Sequence, residues 1–219
     1  MKNIVISLGG SVIIPDKFDY AFVKGLKRII SKHKDKRFII ICGGGKLARS
    51  LQANARKVSE ISDRELDWIG IYATRINAAS LRKIVGAKEE VIINPTQPIK
   101  TKERILVAAG WKPGFSTDFD AVLLAKNIKA SKIINVTNVD YVYDKDPKIP
   151  GATPIKEIKW KELRNIVGER WKPGLNMPFD PIAAKEAEKL SMKVIIAGKS
   201  LSNLDRILSG KKFKGTLIT

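Results

Sequence analysis

Two short glycine-rich stretches, SLGGS (residues 7–11) and GGGKLAR (43–49), combine residue types that bind phosphates. In the first, Ser7, Leu8, Gly9, Gly10 and Ser11 let backbone N–H groups converge on an anion with no Cβ in the way, although a tight turn would use the same glycines. In the second, Gly43, Gly44 and Gly45 lead into a helix start, whose partial positive charge would add to the mobile cations of Lys46 and Arg49. Neither stretch is a Walker A sequence or a G-x-G-x-x-G fingerprint, so an ordinary P-loop or a dinucleotide fold is not supported. A third stretch, GWKPGFSTD (110–118), ends in Ser116, Thr117 and Asp118, which suit the capping of a following helix and equally the gripping of a ribose or phosphate. A fourth, TNVDYVYDKDP (137–147), offers Asp140, Asp144 and Asp146 beside Tyr143, for ribose hydroxyls or Mg2+, or simply as turn residues.

Such loops act only if rigid elements bring them together. NIVISL and RFIIIC are short, β-branched, nearly continuous apolar runs, the pattern of strands covered on both faces of a parallel sheet. Between them Phe18, Phe22, Leu26, Ile29 and Ile30 recur at helical spacing. RILVAA (104–109), KIINV (132–136) and KVIIA (193–197) repeat the strand signal, with amphipathic segments at about 118–130, 180–191 and 201–209. The alternation predicts an α/β fold with helices on both faces of the sheet and the glycine loops at strand ends, where open α/β sheets bind ligands.

The 219 residues, 44% of them hydrophobic, suffice for one core, and a single domain is expected, with a boundary between two parts near residues 130–140. No signal-peptide pattern or bilayer-length apolar run is present, so a soluble, cytoplasmic protein with no membrane partner is expected. The lone cysteine, Cys42, ends an apolar run and reads as a buried, reduced thiol. A net charge of +19 favours anionic small molecules. The basic residues are scattered, with clusters at SKHKDKR (31–37) and SGKKFKG (209–215) that read as loops, and no aromatic platform accompanies them, so nucleic acid is an unlikely partner. The single histidine, His33, is expected to be a bystander in its charged loop. WKPGFSTDFD (111–120) and WKPGLNMPFD (171–180) echo one another, but the likeness does not extend upstream and Asp118 falls opposite Pro178, so the two read as separate loops of one site that lie in different parts of the fold.

Taken in order, GGS, GGGKLAR, DWIGIYATRINA (67–78), KPGFSTD, TNVDYVYDKDP, DPIAAK (180–185) and a closing GK followed by GTLI resemble the amino-acid-kinase superfamily, and most closely its archaeal-type uridylate kinases. The resemblance implies a three-layer α/β/α sandwich around a mostly parallel sheet. It implies transfer of the γ-phosphoryl group of ATP to UMP in pyrimidine nucleotide biosynthesis, with Mg2+ carried mainly by nucleotide phosphates, and a homohexamer. The acceptor would sit in the part spanning about 1–130 and ATP in the part spanning about 131–219. Ser7 to Ser11, Gly45 and Arg49 would face the ATP phosphates, and Thr137, Tyr143 and Asp146 the adenosine. Gly44, Asp67, Trp111, Lys112, Pro113, Gly114, Phe115, Ser116 and Thr117 would hold UMP. Arg49, Lys46 and Asp180, the last matching the superfamily's organising carboxylate, would be the catalytic set, and no dedicated protein metal site is implied.

The chain departs from that pattern at Ser7, where many members carry a lysine, at Tyr141, where glycine is usual, and at Phe119 and Asp120, where small apolar residues are common. Arg49, Lys46 or another lysine must then supply the missing charge. The alternatives are a kinase of another small phosphate monoester resembling isopentenyl phosphate kinase, a non-catalytic nucleotide-sensing paralogue, and a basic RNA-binding protein. The second glycine loop lacks the histidine that the isopentenyl phosphate kinases place after theirs.

Overall fold

The computed structural model describes residues 1–15, 18–168 and 177–219. Strand β1 (Lys2–Leu8) leads through a four-residue helix, α1 (Gly10–Ile13), to α2 (Tyr20–Lys32), β2 (Lys36–Cys42), α3 (Gly45–Val58) and α4 (Asp63–Val85). There follow β3 (Ile105–Ala108), α5 (Thr117–Asn127) and β4 (Lys132–Thr137), then a small antiparallel pair, β5 (Val142–Tyr143) with β6 (Pro154–Ile155). The chain closes with β7 (Glu157–Ile158), α6 (Trp160–Val167), α7 (Pro181–Lys189), β8 (Val194–Gly198), α8 (Leu201–Leu208) and β9 (Thr216–Ile218).

Seven strands form one sheet in the order β3-β2-β1-β4-β8-β9-β7. All neighbours are parallel except β8 and β9. Because strand side chains alternate between faces, the continuous apolar runs feed two separate cores. Ile4, Ile6, Leu8, Phe38, Ile40 and Cys42 enter one core with residues of α2, α4 and α8, while Val5, Ile39 and Ile41 enter the other with α5, α6 and α7. The result is the expected three-layer α/β/α sandwich with a mostly parallel sheet. Full burial pushes the Cys42 thiol far above its ordinary pKa, which leaves it an inert packing residue.

Several boundaries differ from those read off the sequence. Helix α2 begins at Tyr20, because the Asp19 side chain caps it by accepting from Phe22 N at 2.9 Å, so Phe18 packs on the core from outside the helix. The 31–37 cluster is a loop only at its centre: residues 33–35 form the turn between the end of α2 and the start of β2. His33 is buried there, with Nε2 2.8 Å from the Asp205 carboxylate of α8, so this bystander joins two elements. Helices α4 and α6 and the reversed strand β9 carried no clear sequence signal. For α4 a Ser62–Glu65 capping box at one end and Gly86, at φ +76°, at the other define the helix. Of the second echo segment (171–180), residues 171–176 lie outside the described residues.

Candidate active site

The ends of β1, β2, β3 and β4 open onto two cavities, one of about 830 Å³ and one of about 220 Å³. Their floor is a direct contact between the two glycine loops. A Cβ on Gly10 would lie 2.2 Å from Gly45 N, and one on Gly45, at φ +60°, would lie 2.3 Å from the Gly10 carbonyl carbon. The glycines therefore serve loop-to-loop approach as much as ligand access. Asn77 Nδ2 braces the second loop from α4 by donating to Gly43 O at 2.8 Å. Helix α3 starts at Gly45 with no side-chain cap, so the positive end of its dipole lies at the junction of the cavities, which Gly44 and Gly45 both line.

The larger cavity is lined by Ser7, Gly9, Gly10, Ser11 and the second glycine loop, and on its far side by Thr137, Tyr143, Asp144 and Asp146. Lys145 and Lys148 add positive charge there. Asp144 and Asp146 also serve their own loop, accepting from Thr153 N and Lys148 N. Asp140 is ion-paired to Lys214 at 2.6 Å. The smaller cavity is lined by Asp67, Gly70, Ile71 and Thr74 of α4, by Gly110 and by Phe115. Asp67 Oδ2 accepts from Gly114 N at 2.8 Å, tying α4 to the 110–118 loop, and burial raises its pKa. Trp111, Phe115 and Phe119 stack in a column, with Lys112 Nζ 3.9 Å from the Trp111 ring centre.

Gly44, Gly45, Arg49, Ser116 and Thr117 line both cavities. Lys46 lies on the exposed side of α3 and lines neither, while Leu8 is buried inside the sheet. Trp111, Lys112, Pro113 and Gly114 form the outer part of their loop, beyond the cavity wall.

Capping explains only part of the STD trio. Ser116 is the N-cap of α5, accepting from Phe119 N. Asp118 instead turns into the larger cavity, where its Oδ1 accepts from Ser7 Oγ at 3.2 Å and Asn135 Nδ2 at 3.1 Å. Desolvation, and then the nearby Asp180 carboxylate, raise its pKa to about 7. Asp180 caps α7 through Oδ1, accepting from Ala183 N at 2.7 Å, and burial raises its pKa as well. Asp120, fully buried, accepts from Trp111 N at 3.0 Å, and desolvation raises its pKa to about 8. Asp180 thus acts electrostatically on two carboxyls about sixty residues earlier in the chain, Asp118 at the cavity wall and Asp120 buried in the core. Sequence reasoning assigned only Asp180 to the site; Asn135, a polar residue inside an otherwise apolar strand, was the readable hint of the others.

Among the described residues no helix is long and apolar enough to cross a membrane, and no three His, Cys, Asp or Glu residues are grouped to hold a metal ion. The uridylate kinase of Thermoplasma volcanium is 37% identical over 215 residues, covering 96% of this chain and 94% of its own. That of Thermoplasma acidophilum is 35% identical over 231 residues, covering 99% and 96%. The crystal structure of uridylate kinase from Archaeoglobus fulgidus superposes over all of both chains with a TM-score of 0.86 and 32% identity. The amino acid kinase family matches over residues 2–198, and with this fold and these relatives the chain belongs to the amino acid kinase family.

Proposed function

We propose that this protein is a nucleoside monophosphate kinase that transfers the γ-phosphoryl group of ATP to UMP, giving UDP and ADP. The observation that carries the reading is the shared wall of the two cavities: Arg49, Gly44, Gly45 and Thr117 line both, so a donor in one and an acceptor in the other would meet there. In this reading ATP occupies the larger cavity, with Ser7 to Ser11 and Gly45 at its phosphates and Thr137, Tyr143 and Asp146 around its adenosine. UMP occupies the smaller cavity, its ribose against Asp67 and its base and phosphate against Phe115, Ser116, Thr117 and Gly44, with Trp111 to Gly114 holding the loop from outside. The uridylate kinase names of relatives covering nearly the whole chain support the choice of acceptor.

Phosphoryl transfer suits these residues because it asks for alignment and charge neutralisation and little else. An oxygen of the UMP phosphate attacks the γ-phosphorus, the bond to the β,γ-bridging oxygen breaks, and ADP leaves with that electron pair. A phosphate dianion needs no protein base to become a nucleophile. Arg49 and the first N–H groups of α3 face the equatorial oxygens of the group in flight, and Arg49 takes up the charge that Ser7 cannot carry. Ser7, through its hydroxyl, orients Asp118 instead. Mg2+ would enter coordinated by the ATP phosphates, since the described residues offer single carboxylates and no cage; it supplies charge neutralisation on those phosphates.

A single domain over residues 1–219, a cytoplasmic location and a homohexamer belong to the same proposal. The isopentenyl phosphate reading loses support from the placement of His33, held by Asp205 and lining neither cavity. The deciding experiment is an ADP-release assay with Mg-ATP and, in turn, UMP, CMP, AMP and isopentenyl phosphate. Turnover with UMP above the other acceptors is expected; preference for another acceptor, or nucleotide binding without turnover, refutes the assignment.

A further inference from the structure

Asp120 has no role in the reading above, yet it is the least expected side chain in the core. It sits on α5 with 0% exposure, amid Ala121, Val122, Leu124 and Ala125, where a carboxyl is costly. One of its oxygens is used: Oδ2 accepts the backbone N–H of Trp111 at 3.0 Å. The other, Oδ1, is buried with no hydrogen-bond partner among the described residues. An ionised oxygen left without a donor in such a place is penalised far more than a hydroxyl, so the proton belongs on Oδ1 while Oδ2 acts as a carbonyl acceptor.

We infer that Asp120 is a positioning residue for the acceptor: as a neutral acid it pins the start of the 111–117 loop through the Trp111 N–H and so sets the affinity for the monophosphate substrate. This deepens the proposed UMP kinase function and rests on it. Trp111 is held on both sides of its peptide unit. Its carbonyl is held from the other side by Arg75 Nη2 at 3.3 Å, Gly110 N donates to Thr74 Oγ1 at 2.8 Å, and Gly114 N donates to Asp67. Asp120 is the tie between this loop and the sheet-facing side of α5, and the Ser116 and Thr117 of the cavity wall lie between the two ends of that tie.

Charge gives the residue a second effect. Burial raises the Asp120 pKa to about 8 against the opposing hydrogen bond from Trp111, and the carboxyls of Asp180 at the start of α7 and Asp118 on its own helix also oppose its ionisation. On α7, Glu186 pairs with Lys126 of α5 at 3.8 Å and with Lys189 at 3.7 Å, Glu188 pairs with Arg164 of α6 at 2.8 Å, and the lysines of β1, β2 and β4 lie at the strands' opposite ends. Above the pH at which Asp120 loses its proton, an uncompensated negative charge stands behind a cavity that must admit a phosphate, and acceptor binding weakens.

The test compares wild type, D120N and D120A for UMP and ATP kinetics between pH 6.5 and 9, with amide exchange read over residues 110–116. Asparagine keeps an oxygen for the Trp111 N–H and cannot ionise; alanine removes both. The expected result is a KM for UMP raised by about tenfold in D120A with kcat and the KM for ATP changed by less than about twofold, and faster exchange at Trp111. D120N is expected to keep a KM within about twofold of wild type at pH 7 and to lose the rise in KM that wild type shows above pH 8. An unchanged KM in D120A, equal damage in D120A and D120N, or a fall in kcat alone overturns the inference. If D120A does not fold, D120N decides: a pH profile identical to wild type overturns it. Absence of wild-type turnover with UMP refutes the assigned function instead, and the exchange at Trp111 still reads the tie by itself.

Discussion

Individual residues in this site are set by where their charge is placed. Among the described residues Arg49 is the one cation that lines both cavities, so it is positioned to act on the group in transit and not on either nucleotide alone. Replacing it with alanine is expected to lower kcat about 100-fold or more while the KM for UMP moves less than about threefold, because the interaction lost is made mainly in the transition state. Steady-state kinetics decide it; unchanged kcat would remove Arg49 from the mechanism. Lys46, three residues earlier, shares the motif and lies on the exposed side of the helix. The spacing in GGGKLAR could not separate these two, since which of them faces the cavity depends on how α3 leans on α4. Asp118 shows the same limit. The sequence offered it as a cap, a role that Ser116 already fills, or as a grip on ribose or phosphate, and only the approach of β1 and β4 brings Ser7 and Asn135 to its carboxylate.

At the level of elements, the glycine loops and the caps make separate and measurable demands. Gly10→Ala places a Cβ against the backbone of the opposite loop, 2.2 Å from Gly45 N, and both sides of that contact are main chain that cannot yield cheaply. Loss of nearly all UMP kinase activity is expected. Gly86→Ala is the control: its φ of +76° carries strain of about 1 kcal/mol, but nothing lies within 4 Å of the new Cβ, so activity should survive with slightly reduced stability. If both variants lose activity alike, the loops' close approach is not what the glycines provide. Ser62→Ala removes one half of the α4 capping box and should lower the unfolding free energy by about 1 kcal/mol, read from the denaturant midpoint at constant slope. No shift there would mean that α4, which carries Asp67 and the Asn77 brace, is held by packing alone.

Across the whole molecule, the buried acids make stability depend on pH in an unusual direction. Asp118 and Asp120 hold their protons more tightly folded than unfolded, with pKa values raised from 3.8 to about 7 and about 8. Between about pH 4 and 8 the folded chain therefore binds more protons than the unfolded one, and stability falls as pH rises through that window and levels off above it. D120N should remove the Asp120 share of that loss, so its melting temperature should exceed that of wild type at pH 8.5 and converge with it near pH 4. Parallel melting curves for the two proteins across that range would contradict this. Asp19, Asp35, Glu65, Asp144 and Asp205 are shifted the opposite way by their hydrogen-bond partners, so what they contribute is lost only on acidification below their ordinary range. The sequence by itself determined the layered α/β architecture, the main strands and the loops at their ends, because those follow from local periodicity and from glycines whose backbone needs are local. Tertiary structure alone decided the rest. The reversal of β9, the choice of Arg49 over Lys46 at the cavity wall, and the action of Asp180 on Asp118 and Asp120 all depend on neighbours far away in the chain, since burial and electrostatic coupling act through space and leave no periodic trace along it.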